Sequence, residues 1–129
     1  MVMTAHLLFT EEIVAYIERN IRRNIRLAEV GDRSGYSVRQ LQRIFQRVVG
    51  MPVTVYIRLR RLTLAAVMLR ITRRTVTETA RILGFSSHQT FTRLFSRSFG
   101  MAPDDYRRLQ DWGVGRLIPR WEYSLKQGG

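Results

Sequence analysis

The sequence predicts an all-α protein, two helix-turn-helix subdomains joined by a long linker helix, with about seven helices in total. Three observations predict it. Apolar residues recur at steps of three and four, with no convincing two-residue alternation of the kind a half-buried strand needs. Pro52, Pro103 and Pro119, together with glycines at turn-like positions, cut the chain into short helical pieces. Part of the chain also repeats another part at an offset of 49 to 50 residues.

Thr10 is placed to cap a first helix, with Glu11 and Glu12 in its opening turn and Ile13, Ile17 and Ile21 on one face, running to about Asn24. A short second helix, about Leu27 to Ser34, stops at Gly35, a residue suited to the left-handed conformation that ends helices. Gly31 inside it weakens that helix by about 1 kcal/mol on propensity alone. Ser37-Val38-Arg39-Gln40 has the spacing of a capping box and opens a third helix. Its apolar stripe is Leu41, Ile44, Phe45 and Val48, and Arg39, Gln42, Arg43 and Gln46 lie on the other side. From about Val53 to Ile71 runs a longer helix in which Val55, Leu59, Leu62, Ala66 and Leu69 form the apolar line and Arg58, Arg60, Arg61 and Arg70 decorate the remainder. Thr75-Val76-Thr77-Glu78 is a second capping box, for a helix closing at Gly84. The next helix starts at Ser86-Ser87-His88-Gln89, turns Phe91, Leu94, Phe95 and Phe99 inward and stops at Gly100. Pro103, followed by Asp104 and Asp105 at the positive helix end, opens the last one. The implied organisation is a first subdomain over residues 9–52, a linker helix over 53–73, a second subdomain over 74–112 and a C-terminal tail over 113–129.

At an offset of 49, Glu29 falls on Glu78, Gly35 on Gly84, Tyr36 on Phe85 and Ser37 on Ser86. At an offset of 50, Leu41 falls on Phe91, Arg43 on Arg93, Phe45 on Phe95, Arg47 on Arg97, Gly50 on Gly100 and Tyr56 on Tyr106. One residue is therefore inserted in the turn. Each copy is a short helix, a Gly-aromatic-Ser turn and a longer capped helix with a basic outer face, which is a helix-turn-helix. In that motif the second helix enters the major groove, about 12 Å wide, with its N-terminal half against base edges. Arg39, Gln40, Gln42 and Arg43 suit this, arginine pairing with guanine and glutamine with adenine, and Arg47 extends the basic face. The second copy offers His88, Gln89, Thr92, Arg93 and Arg97, shorter and less charged, so weaker base reading is expected there. Outward polar residues are usually just solvated, but the same arrangement twice in a basic chain argues for DNA contact by the set. For His88, base contact and a capping or packing role at the turn both remain open.

Composition points the same way. The 129 residues include 22 Lys+Arg against 10 Asp+Glu, a net charge of +12, and such a surface gathers polyanions. Lys126 is the only lysine. Arginine's planar fork suits phosphate and guanine, although genome composition also produces such a bias. From Arg33 to Thr77 there are ten arginines and no acidic residue, a stretch expected to lie along something negative. Without cysteine there is no disulfide framework or thiolate, and His6 and His88 alone are borderline metal donors, so no metal and no cofactor are expected. The N-terminus lacks the basic region of a signal peptide, and no apolar run approaches the ~20 residues needed to span a bilayer. The expectation is a cytoplasmic protein with enough apolar residues, 45%, for a small core.

The second copy, Ala80-x3-Gly84-Phe85-x-Ser87-x3-Phe91-x-Arg93-x-Phe95-x-Arg97-x2-Gly100-x2-Pro103-x2-Tyr106-Arg107, resembles the signature of AraC/XylS transcription regulators. The first, with Gly35-Tyr36-Ser37, Leu41-Gln42-Arg43, Phe45, Gly50 and Tyr56-Ile57-Arg58, resembles the first helix-turn-helix of that family. The resemblance covers about residues 9 to 112, and is greatest to the short MarA/SoxS/Rob-type branch. It implies a bacterial, nucleoid-associated monomer whose recognition helices meet successive major grooves of an asymmetric duplex site, about 34 Å apart. It also implies an activator that recruits RNA polymerase at stress or drug-resistance genes and has no small-molecule ligand domain. Arg39 stands where the branch typically has Trp, His88 where it has Gln, and Gly31 where Ala is usual. The first two departures fall at presumed base-reading positions, so the branch's shared operator does not carry over.

Other classes explain less. A basic amphipathic protein for membrane surfaces would account for the charge but not for the duplicated caps and turns. Asp104 and Asp105 are better dipole partners than an acid/base pair, and no nucleophile with a base or phosphate loop is present, so an enzyme is not expected. An architectural or repressing DNA binder that never engages polymerase is the alternative within the DNA-binding class. Residues 113–129 carry no recognisable pattern, and Trp121 and Tyr123 are expected in a loosely docked tail or against a partner.

Overall fold

The computed structural model describes residues 2–111 and 117–122. Among them are seven helices and no strand: α1 (Val2–Arg19), α2 (Leu27–Ser34), α3 (Val38–Val49), α4 (Val53–Ile71), α5 (Val76–Ile82), α6 (His88–Phe99) and α7 (Pro103–Arg107). The all-α fold class is as expected. No described helix is long and apolar enough to cross a membrane.

The first helix differs from expectation at both ends. It begins at Val2, so Thr10 is not its cap but a fully buried residue in its middle. Its hydroxyl is satisfied by donating to the His6 carbonyl one turn back, at 2.7 Å. The helix ends at Arg19, not near Asn24, with the Asn20 side chain donating to the Tyr16 carbonyl at 2.8 Å.

The chain folds as two compact units. The first comprises residues 1–20, 24–57 and 120–129. Its core joins Phe9, Ile13, Val14 and Ile17 of α1 to Val30, Leu41, Ile44, Phe45, Val53 and Tyr56. Tyr16 pins the loop before α2: its hydroxyl donates to Glu29 at 3.3 Å and accepts from the Arg26 amide at 3.1 Å. The α2–α3 turn closes on Gly35 at φ +79°, where a side chain would be strained, and the Tyr36 amide donates to the Gly31 carbonyl at 3.0 Å. Gly31 is more than a propensity loss. A Cβ there would lie 2.4 Å from the Tyr36 carbonyl oxygen, a backbone atom that cannot step aside.

The second unit comprises residues 21–23 and 58–119. Leu62, Ala65, Ala66 and Leu69 of α4 pack with Val76, Ala80 and Leu83, the Phe91, Phe95 and Phe99 stripe of α6, and Tyr106. Phe95 stacks on Phe99 at 4.4 Å between ring centroids, and Tyr106 meets both edge-on or tilted, at 5.5 and 5.1 Å. Both predicted capping boxes form, Ser37 with Gln40 and Thr75 with Glu78. The hydrogen bond from the Thr75 amide, then the Thr75 hydroxyl, then Arg74 and Arg81 hold the Glu78 carboxyl below the usual carboxylate range.

The long helix α4 corrects two expectations. Val55 and Leu59 are only half-buried, while Val53, Tyr56, Arg60 and Thr63 are buried, because α4 serves two cores in succession instead of one along a single stripe. Nor do all its arginines decorate the surface. Arg60 donates to the Ile118 carbonyl at 2.6 Å; Arg61 donates to the carbonyls of Ile21 and Arg23 at 2.9 and 2.7 Å. Burial pushes the Arg61 pKa down. Arg70 donates to the Tyr106 carbonyl at 3.1 Å, with its guanidinium 5.6 Å from the Tyr106 ring centroid, and Arg107 returns to the carbonyls of Leu69 and Arg74. A fork of donors can bind two carbonyls at once.

The tail is more firmly held than expected where it is described. The Ile118 amide donates to the Thr63 hydroxyl at 2.8 Å, and the Trp121 amide to the Tyr56 hydroxyl at 3.0 Å, with Trp121 itself buried. Tyr123, expected beside it, lies outside the described residues.

Two outcomes follow for stability. Gly31→Ala should destabilise by about 1–3 kcal/mol in urea unfolding, as overpacking does, in spite of alanine's better helix propensity. Glu78 has a folded pKa below its unfolded one, so its contribution is complete above the usual carboxylate range and is lost as pH falls through the lowered value. The difference in unfolding midpoint between the protein and its Glu78→Gln variant should therefore be larger at pH 7 than at pH 3.

Candidate nucleic-acid interface

On α3, at 100° per residue, Arg39, Gln40, Gln42, Arg43 and Arg47 fall within an arc of roughly 160° opposite the buried Leu41, Ile44 and Phe45. All five are exposed. Ser37 fixes where this face begins, since its hydroxyl accepts from the Gln40 amide at 3.1 Å and so sets the first turn. The Gln40 side chain is already engaged, its carbonyl oxygen accepting from the Ser37 amide at 2.9 Å. A glutamine needs both ends of its amide for the bidentate contact with adenine, so Gln40 is a cap first. Gln42 has no such commitment among the described residues.

On α6, His88, Gln89, Arg93 and Arg97 are exposed. Ser87 is the cap: its hydroxyl accepts from the Thr90 amide at 3.0 Å and donates to the Thr90 hydroxyl at 3.0 Å. The caps Ser37 and Ser87 therefore correspond at an offset of 50, which makes Ser86 the inserted residue of the second turn. Because Ser87 fills the capping role, His88 stands free of it at the first exposed position of the helix. Thr92 differs from the rest of the set. It is half-buried, and its hydroxyl is wholly buried without a hydrogen-bond partner among the described residues. The cause is visible in the spacing: Phe95 and Phe99 lie three and seven residues on, along the core edge of the helix.

Arg39, Arg43, Arg47, Arg93 and Arg97 form no ion pair among the described residues. Their charge is uncompensated on both recognition helices, whereas Arg60, Arg61 and Arg70 of the acid-free stretch are engaged with backbone carbonyls. One further residue joins the first face. The early turns of α1 bring His6 to a notch of about 190 Å³ that Gln40, Arg43 and Arg47 also line, with the His6 ring 6.4 Å from that of Tyr36. Sequence reasoning weighed His6 only as a metal donor. Steps of four through Phe9, Ile13 and Ile17 were the signal that the helix continued back past Thr10.

Two helix-turn-helix motifs, each presenting a basic outer face on its second helix, define a DNA-binding protein of the helix-turn-helix class. A family model described as a helix-turn-helix domain matches residues 30–109. The chain is 42% identical over 103 residues to the regulatory protein SoxS of Escherichia coli K12, covering 80% of this chain and 96% of that protein. It is 42% identical over 115 residues to the F1 operon positive regulatory protein of Yersinia pestis, covering 88% of this chain but only 38% of that longer protein. A probable AraC family transcriptional regulator from Rhodopseudomonas palustris superposes with a TM-score of 0.69 at 29% identity, over 78% of this chain and 94% of that one. The chain belongs to the AraC/XylS family of DNA-binding transcription regulators, in its MarA/SoxS/Rob-type branch; it is not an enzyme.

The two glutamines of α3 should separate in a variant pair. Gln40→Ala is expected to cost about 0.5–1 kcal/mol of stability, as loss of one capping-box hydrogen bond does, with base preference unchanged. Gln42→Ala should leave the unfolding midpoint in place and relax preference at one base pair, read from binding to a set of single-base operator variants.

Proposed function

We propose that this regulator is a transcription activator that binds an asymmetric duplex site as a monomer, through α3 in one major groove and α6 in the next. The observation that carries the reading is the inequality of the two faces. At the offset of 50 that the caps set, Arg39, Gln42 and Arg43 of α3 fall on Gln89, Thr92 and Arg93 of α6, and Val38 on His88, so one chain already holds two unlike readers. A symmetric dimer is not needed to specify a long site, and a palindrome would match only one of the faces twice. Arg39 and Arg43 carry guanine-type contacts, Gln42 an adenine-type contact, and Arg47, Arg93 and Arg97 the phosphate and groove-edge contacts. His88 and Gln89 read the second block more weakly. Thr92 serves that face through packing, its hydroxyl being turned inward.

Activation rests on the relatives. The Yersinia protein's name describes a positive regulator, and SoxS is named as a regulatory protein of almost the same span. On this reading the chain works at the bacterial nucleoid and brings RNA polymerase to stress or drug-resistance genes.

Selection of bound duplexes from a library randomised over about 30 base pairs, at physiological salt, tests the reading. Enrichment of two unlike blocks about one helical turn apart is expected; a palindrome, or no enrichment, overturns it. On the selected site, Arg39→Ala or Arg43→Ala should lower specific affinity by about 1 to 3 kcal/mol and relax one or two base pairs. Equal losses on random DNA would reduce these side chains to phosphate contacts. Affinity should also fall steeply with salt, as expected for roughly six to ten phosphate contacts. Transcription from a purified promoter carrying the site distinguishes an activator from a binder that never engages polymerase.

A further inference from the structure

We propose that the second unit carries a binding groove for an amphipathic anion, a small molecule with an apolar chain and a carboxylate or comparable charged head. The groove has a volume of about 370 Å³ and is lined by Leu64, Val67, Met68 and Ile71 of α4, by Leu83 after α5, and by Arg22 and Arg74. That volume lies within the ~300–1,000 Å³ usual for small-ligand pockets. Its apolar lining is left open to water, with Ile71 at 68% exposure. Leu64 and Met68 also pack against the core of the unit, so an apolar chain in the groove extends that core outward. Met68 can adjust to chains of different shape, since methionine has a flexible, polarisable side chain.

The head group follows from charge. No acidic residue lines the groove, and two guanidiniums do. Arg22 is exposed and forms no ion pair among the described residues. Arg74 has Glu78 at 3.9 Å, a long pair with both side chains about half exposed, and the Glu78 carboxylate is already held by the Thr75 amide. A contact of that kind contributes little and leaves Arg74 able to take a second anion. A phosphate without an apolar chain would leave the hydrocarbon lining wet, and a neutral apolar molecule would leave the guanidiniums without a partner. A second copy of this chain, with a net charge of +12, is repelled from the same surface. No residue of α3 or α6 lines the groove, so binding here is independent of the DNA-reading proposal and is measured without DNA.

The full chain would be titrated with octanoate and decanoate, each below its micelle-forming concentration, following the methionine methyl resonances and the unfolding temperature. Expected are a saturable shift of the Met68 methyl with Met51 unmoved, and a rise of about 3–6 °C in Tm at tenfold excess over Kd. The matched alcohols should bind about tenfold more weakly, and the double variant Arg22→Ser/Arg74→Ser should lose a similar factor. The proposal is overturned if the Met68 shift does not saturate, if Met51 moves in parallel as under a detergent, or if alcohol and acid bind alike. It is equally overturned if an acidic amphipathic helical peptide saturates the groove where the alkanoates do not.

Discussion

Everything the interface does depends on where α3 and α6 begin, and that is set by how a helix-turn-helix satisfies its backbone across a few residues. Each turn must end one helix and start another without leaving buried donors or carbonyls unmatched. Both turns meet this constraint in the same way. A glycine at positive φ reverses the chain, the aromatic residue after it donates back to a carbonyl of the preceding helix, and a serine hydroxyl accepts from the amide three residues on, in the first turn of the next. The first turn is the tighter one. At Ala80 the second copy accommodates a methyl group in the core, whereas at Gly31 the Tyr36 carbonyl fills the same space.

A protein this basic has to decide which of its charges face outward. The arginines divide by element. Those of α3 and α6 are exposed and without ion pairs among the described residues, while Arg60, Arg61, Arg70 and Arg107 turn onto backbone carbonyls of the second unit. A carbonyl dipole is a weaker partner than a carboxylate, but two of them, as Arg61, Arg70 and Arg107 each have, satisfy a guanidinium without adding an acidic residue to the surface. The field that α3 and α6 present to a polyanion is thereby kept strong, since none of their arginines is paired with a carboxylate among the described residues.

Much of this was legible in the sequence, because caps, left-handed glycines and three-four periodicity are local signals. Both capping boxes, Pro103 at the start of α7 and the Phe91-Phe95-Phe99 stripe could be read from spacing alone. What escaped were the features that depend on distant chain. Thr10 has every local property of a cap and is instead mid-helix, satisfied by a carbonyl one turn back. Arg60 and Arg61 look like surface charges until residues 118 and 21–23 are folded onto them. Trp121 is buried, and its amide donates to the hydroxyl of Tyr56, far away in sequence. For the candidate interface the outward faces can be counted off a helical wheel, but the capture of Gln40 by its own cap, the inward hydroxyl of Thr92 and the arrival of His6 depend on how the chain folds around those helices.

The engagement of Gln40 with Ser37 bears on how such a regulator changes its target over time. A recognition helix evolves by exchanging side chains that touch bases, and it can do so freely only where those side chains have no second duty. At residue 40 an exchange that removes the side-chain acceptor costs helix stability, so that position drifts less freely in sequence preference. On the proposed reading, change in the first half-site is channelled into residues 39, 42 and 43. Arg39 is such a position: it is exposed, has no ion pair among the described residues, and can be exchanged while the turns stay unchanged.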